Sequence, residues 1–384
     1  MRTHAIRPSR VQNLVSSIFD DDFHAKRVAS LSDAVVGALL GARLGVATIG
    51  RALAIAKSLN PKHAIKQVDR FFSNSGVEVW NLFASWVPFV VGPRPEIMVA
   101  LDWTEFDADN QSTIALYLVT KHGRATPLLW KTVVKSEMKG WRNEHEDVLL
   151  GRFREVLPEG VKVTVLADRG FGDQALYELL KDQLDLDFIV RFRGIVKVTD
   201  EHGVTQTANE WVPSNGRPCL LPKARVTKTR REVGAVVCVK AKGMKEPWCL
   251  ATSHADKTGT EIVKHYGKRF TIEETFRDLK NLRFGMGLSD TRISSPERRD
   301  RILLVGAIAA ALLTLLGAAG EAIGLDRMMK ANTVKTRTHS LLNQGLFYFE
   351  WLATMSDDRA LLLTQKFDEL IRQQATFREV FGLV

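Results

Sequence analysis

Apolar residues recur every three to four positions through roughly the first ninety residues, which predicts helices there. Leu31, Val35, Val36, Leu39 and Leu40 share one helical face, with Ser32 and Asp33 as start signals. Leu44-Gly45 interrupts the pattern and "VATIGRALAIAK" (46–57) resumes it. "NPKHAIKQVDRFF" (60–72) adds Lys62, His63, Lys66 and Arg70 on a further helix. Two short helices around a tight turn suit a helix-turn-helix with its second helix in a major groove, or equally a bundle packed on itself. The cations of 60–72 tilt the choice toward DNA. "VGPRPE" (91–96) reads as a linker.

From residue 97 the period shortens. "IMVALDW" predicts a buried strand ending in Asp102, and 112–134 a pair of strands around His122-Gly123. Residues 143–157 predict an amphipathic helix with Asn143 as its cap. "VKVTVLADRGFG" (161–172) predicts a strand ending in Asp168, followed by the helix "DQALYELLKDQ" and the strand "LDFIVRFR" (186–193). The resulting order is β-β-β-α-β-α-β. Residues 194–258 are rich in Gly, Pro and basic residues with short Val runs, and read as a mostly β insertion ending in "EPWCLATS". Helix returns from Gly259 through Lys280, and again from Gly324 to the end, with Trp351, Leu352 and Phe367 available for packing. The fold class is α/β. Five segments follow: a helical domain (1–92) that the cations tilt toward DNA binding, a mixed α/β part in two pieces (93–193 and 259–325), the β insertion (194–258) between them, and a helical C-terminal region (326–384).

Charge sharpens this picture. The chain of 384 residues carries a net charge of +10 and is 45% hydrophobic, so it can bury a large core and favours a polyanionic partner. Between Lys223 and Lys245 stand eight cations (Lys223, Arg225, Lys228, Arg230, Arg231, Lys240, Lys242 and Lys245) against Glu232 alone, a run suited to phosphate contact. Cys219, Cys238 and Cys249 show no zinc spacing and read as reduced thiols of a cytoplasmic protein. No secretory signal is expected, because the N-terminus lacks an apolar stretch. "ILLVGAIAAALLTLLGAAG" (302–320) is uncharged and nearly long enough to span a bilayer, but a buried core helix explains it as well, and no membrane partner is expected.

The candidate chemistry lies in "YGKRFTIEETFRDLK" (266–280). On a continuous helix with Arg269 at zero, Lys280 falls near about 20°, Glu273 about 40° and Tyr266 about 60°, while Glu274 falls about 140° away. Tyr266, Arg269, Glu273 and Lys280 therefore share a stripe. Asp102 and Asp168 each follow an apolar strand, where open sheets present ligand-binding groups. Three such carboxylates can supply hard oxygen ligands for two Mg²⁺ ions, which serve in-line phosphoryl transfer. Glu105, Asp107 and Asp109 read as a polar turn. Glu144, His145 and Glu146 read as the charged start of a helix.

The stripe fits Tyr-x2-Arg-x3-Glu-x6-Lys and resembles the signature of the insertion-sequence-four family of bacterial DDE transposases. "DWTEF" (102–106) and "ADRGFGD" (167–173) stand where that family carries its two aspartates, and "EPWCLATS" and "ANTVKTRTHSLL" (331–342) are similar to it as well. The likeness covers most of the chain from about residue 97 and is fainter before it. It implies a ribonuclease-H-like core interrupted by a β insertion, with Asp102, Asp168 and Glu273 as catalytic and metal-binding residues. It implies Mg²⁺, with Mn²⁺ able to substitute. Tyr266, Arg269 and Lys280 would contact phosphates, Trp248 would stack on a flipped base, and Arg191 and Arg193 would reach DNA. The implied reaction moves a DNA element by nicking, hairpin formation, hairpin opening and strand transfer. Its partners would be double-stranded DNA, both terminal inverted repeats and target, and a second copy in a homodimer, in a nucleoid-associated bacterial setting. Two rival readings are a domesticated DNA-binding protein without catalysis and another ribonuclease-H-like nuclease.

Overall fold

The computed structural model describes residues 8–372, apart from residues 228 and 284. Five helices come first: α1 (Pro8–Phe19), α2 (Ala25–Gly41), α3 (Val46–Lys57), α4 (Pro61–Phe72) and α5 (Val79–Val91). The Asn60 side chain accepts from Lys62 N and Pro61 opens α4, while Ala64, Val68, Phe71 and Phe72 form its buried face. α2 and α3 meet at 96°. Glycine permits the close packing: a Cβ on Gly37 would lie 2.5 Å from the Ile49 carbonyl oxygen, and one on Gly50 2.4 Å from the Ile65 Cα.

The rest of the chain is built around an eight-stranded sheet. Its first part comprises β1 (Glu96–Phe106), β2 (Gln111–Val119), β3 (Ala125–Val134), α6 (Arg142–Val156), β4 (Lys162–Ala167), α7 (Gln174–Glu178) with a π turn after it, and β5 (Asp187–Phe192). Seven short strands follow: β6 (Lys197–Thr199), β7 (Thr205–Thr207), β8 (Cys219–Pro222), β9 (Arg225–Val226), β10 (Arg231–Glu232), β11 (Ala235–Val239) and β12 (Trp248–Thr252). Then come α8 (Gly259–Gly267), α9 (Thr271–Lys280), α10 (Pro296–Ala322), α11 (Leu341–Trp351) and α12 (Asp357–Arg372).

The large sheet has the order β3-β2-β1-β4-β5-β12-β11-β8, and β10-β9-β6-β7 form a second, small sheet. β1 is antiparallel to β2 and parallel to β4, which is parallel to β5. β12, β11 and β8 add antiparallel to that edge. The expected strand–helix order through residue 192 matches these elements.

Several local expectations need correction. The first strand does not end at Asp102 but runs on to Phe106, because Asp102 through Phe106 keep pairing with β2. Asn143 does not cap α6. Trp141 holds that position, and Asn143 Nδ2 donates instead to Asp173 at 3.1 Å. The helix from Gly259 to Lys280 is broken by a 3₁₀ turn at Lys268–Phe270. The strands of the expected β insertion 194–258 divide, since three of them extend the large sheet and the rest form the small one. After Gly324 the chain is helical only in part, with a non-helical stretch from 330 to 340, and the expected helix beyond 372 lies outside the described residues, as do residues 1–7 and Lys228.

Among the described residues α10 is the one helix that is by itself long and apolar enough to cross a membrane, yet 89% of its apolar window is buried within the protein. It packs against α2, β3, α11 and α12. The apolar run is thus taken up by a core shared by the N-terminal helices, the sheet and the C-terminal helices.

Candidate active site

The parallel pairing of β1 with β4 ends at Leu101 and Ala167. Asp102 and Asp168 are the next residue on each strand, so the register delivers two carboxylates side by side. Each anchors itself through the following backbone: Asp102 Oδ1 accepts from Trp103 N at 2.9 Å and Asp168 Oδ1 from Arg169 N at 2.7 Å.

Arg269, only 3% exposed, lies in the 3₁₀ turn between α8 and α9 and joins the remaining parts. Its Nη1 donates to Asp102 Oδ2 at 3.1 Å and its Nη2 to Glu273 Oε1 at 2.5 Å. Tyr266 Oη donates to Asp168 Oδ1 at 3.3 Å, and Arg191 Nη1 lies 3.8 Å from the same oxygen. Arg269 therefore joins Asp102 to Glu273, while Tyr266 and Arg191 flank Asp168 beside them.

The electrostatics follow from burial and crowding. Burial pushes the Asp102 carboxyl up to about 6; Arg269 and the Trp103 N–H oppose this, while the charges of Glu273 and Asp168 add to it. Burial works against the charge of Arg269, but Tyr266, Asp102, Asp168 and Glu273 hold it protonated, with a net upward shift. Burial raises the Tyr266 phenol as well, so it remains a hydrogen-bond donor at neutral pH. Among the described residues no three His, Cys, Asp or Glu groups stand close enough to hold one cation. The Arg269 guanidinium supplies the positive charge between Asp102 and Glu273 instead.

The other expected site residues divide. Trp248, at the start of β12, is half-buried with its ring 5.0 Å from Tyr266 in an edge-on arrangement and 6.0 Å from Phe270. Arg191 Nη2 donates to Glu246 Oε2 at 2.9 Å and to the Pro247 carbonyl at 3.2 Å, which ties β5 to the turn before Trp248. Arg193 is exposed just past β5. Lys280 stands seven positions after Glu273 on the unbroken α9, on the same face, and lines one cleft with it. Its Nζ donates to the Glu105 carbonyl at 2.6 Å and Thr104 Oγ1 at 3.1 Å, over the Phe106 ring. The 3₁₀ turn lies before Glu273, so it changes only the angular step from Tyr266 to the residues that follow.

One cluster escaped sequence reasoning. Glu146, expected at a solvated helix start, is 4% exposed and accepts from Trp103 Nε1 at 2.8 Å and Arg142 Nε at 3.2 Å. The Arg142 guanidinium also lies over the rings of Trp103 and Phe171, at 5.3 and 5.7 Å. This cluster braces the residue next to Asp102. Its signal was the Arg142-x3-Glu146 spacing, which puts both groups on one helix face. On the far side of Asp102 a cleft of about 720 Å³ opens, lined by Glu273, Arg277, Lys280 and Arg283 among others. It places cations beside the acids.

Residues 136–312 match the family model described as the transposase DDE domain, a little under half of the chain. This span contains Asp168, Trp248, Tyr266, Arg269, Glu273 and Lys280, and begins beyond Asp102. The match supports a DNA-transposing role, and the mixed α/β architecture fits it. No curated protein matches the chain.

Proposed function

We propose that the chain is a cut-and-paste DNA transposase of the insertion-sequence-four type, with Asp102, Asp168 and Glu273 as its catalytic acids. The observation that carries this reading is the convergence of the three acids beside an open cleft: Asp102 and Asp168 follow the last paired residues of the parallel strands β1 and β4, Arg269 joins Asp102 to Glu273, and Tyr266 holds Asp168. The order β3-β2-β1-β4-β5, antiparallel then parallel, supports a ribonuclease-H-like core with 194–258 inserted after β5. The helices up to residue 92 form the DNA-binding domain, where Arg27, His63, Lys66 and Arg70 line a cavity of about 620 Å³.

The donor set fits divalent cations. Three carboxylates are hard oxygen ligands, and the burial that raises Asp102, to which the charges of Glu273 and Asp168 add, is a penalty that a nearby positive charge relieves. Asp102, Asp168 and Glu273 would hold Mg²⁺, or Mn²⁺ in its place, with Arg269 withdrawing from its present bonds to the acids. Bound there, the cations supply charge stabilisation for phosphoryl transfer. The chain's own groups orient the DNA. Tyr266 and Arg191 flank Asp168 and present a phenol and a guanidinium to a phosphate. Lys280 does so by exchanging its contact with the Glu105 carbonyl. Arg193 adds a cation past β5. Trp248 offers a face to an unstacked base, a contact worth about 1–3 kcal/mol. Nicking, hairpin formation, hairpin opening and strand transfer each exchange one phosphodiester oxygen, so one site serves all four. Processing two ends implies a homodimer on paired DNA, acting in the cytoplasm on the nucleoid.

The test is cleavage of DNA carrying the element's terminal repeats in Mg²⁺. Asp102→Asn, Asp168→Asn and Glu273→Gln are each expected to abolish nicking while leaving duplex binding within about threefold. Wild-type nicking by all three variants overturns the assignment.

A further inference from the structure

The chain's three cysteines, separated by eighteen and ten residues in sequence, fall on one line across the sheet. Cys238 of β11 pairs directly with Cys249 of β12 on one side and with Cys219 of β8 on the other. Directly opposed residues on antiparallel strands send their side chains to the same face, with Cα atoms about 4.5 or 5.5 Å apart. Either spacing lies within the range a disulfide spans, about 4.4–6.8 Å, so both neighbouring pairs can bond without moving the backbone.

The row is graded in access. Cys219 is half-buried on the terminal strand, while Cys238 and Cys249 are 0% and 2% exposed. Their face is opposite to the one that α8 covers, since Gly259 sits on Val237 and Leu220, the alternating positions. The row is therefore separate from the acids and from Trp248. The opposed Cys249 thiol, together with burial, raises the Cys238 thiol. The facing Cys238 and the nearby Arg191 charge make Cys249 the more acidic of the two.

We infer that these residues form a thiol relay: Cys219 captures a low-molecular-weight disulfide and the oxidation ends as a cross-strand Cys238–Cys249 bond. Each step is a thiolate displacement at sulfur. Cys219 attacks the reagent RSSR, forming Cys219–S–SR and releasing RSH. Cys238 attacks the Cys219 sulfur, forming the Cys219–Cys238 disulfide and releasing the second RSH. Cys249 then attacks Cys238 and displaces Cys219, which takes up the proton Cys249 gave. Two protein thiols are oxidised and one RSSR is reduced to two RSH. Sulfur exchange runs in line, and three residues opposed across adjacent strands provide that line.

The experiment treats the full chain with glutathione disulfide and follows its tryptic peptides by mass spectrometry. The cysteines separate onto 198–223, 232–240 and 246–257, because Arg217 precedes a proline and resists cleavage. The expected order is a glutathione adduct on 198–223 first, then a cross-link between 232–240 and 246–257. Cys219→Ser should slow that cross-link at least tenfold, with the two remaining thiols still counted after denaturation. A stable Cys219 adduct with no cross-link overturns the relay, as does an unchanged cross-linking rate in Cys219→Ser. Should Cys219→Ser fail to fold, the wild-type time course decides alone: a cross-link that precedes the adduct overturns the relay.

Discussion

At the scale of single residues, Arg269 holds more of the candidate site together than any of the acids. It is nearly fully buried and bonds Asp102 and Glu273 at once. Removing it leaves two carboxylates without their donor. Arg269→Met should destabilise the fold by about 1–3 kcal/mol, the usual penalty for orphaned polar groups, and should abolish DNA cleavage. Urea denaturation of the purified variant measures the first effect and a nicking assay the second. Unchanged stability would mean that the two carboxylates recover their hydrogen bonds from water. The positions of the two aspartates were legible in sequence, because each sits where an apolar run turns polar. The angle from Tyr266 to the rest of the stripe was not, because a helical wheel assumes one constant step and the turn at Lys268–Phe270 violates it.

At the scale of elements, the first turns of α10 pin the N-terminal helices to the sheet. Arg301 Nε donates to the Val77 carbonyl at 2.8 Å and its Nη1 to that of Phe72 at 3.0 Å, while Arg299 reaches Gln111 and Asp109. Between them, Asp300 accepts from Thr132 N at 3.1 Å and Thr132 Oγ1 at 2.6 Å on β3. Burial pushes its carboxyl up to about 7, against the Thr132 hydrogen bonds. An acid whose folded value exceeds its unfolded value of 3.8 binds its proton more tightly when folded. Its stabilising contribution is complete below about pH 4 and is lost as pH rises to about 7. Asp300→Asn should remove this slope, so that the urea midpoint falls less between pH 5 and pH 8 than in wild type. A parallel pH profile would show that Asp300 titrates normally. The helices and long strands were readable from their period. The strands of 194–258 were recognised as β, but with two to five residues each they carry no periodicity that says which sheet they join.

At the scale of the whole molecule, the net charge of +10 is concentrated rather than diffuse. Lys240, Lys242 and Lys245 are exposed on the connection between β11 and β12, just before Trp248. Arg231, by contrast, is already paired with Asp182. The free lysines are the better candidates for phosphate contact. A Lys240→Ala, Lys242→Ala, Lys245→Ala variant should lower the slope of log K against log salt by about 2–3, close to 0.9 per lost contact. Fluorescence anisotropy on duplex DNA from 50 to 300 mM salt measures it, and an unchanged slope would place the DNA elsewhere.

The terminal strand β8 bears on how copies behave when crowded together on DNA. A long bare strand at a sheet margin invites another chain to pair with it, and many copies then zip into fibres. β8 offers four residues, ends at Pro222, which has no N–H to give, and is followed by an exposed lysine with positive φ that turns the backbone aside. The sheet is thus closed to growth at this margin, so that high local concentration does not lead to aggregation through this strand.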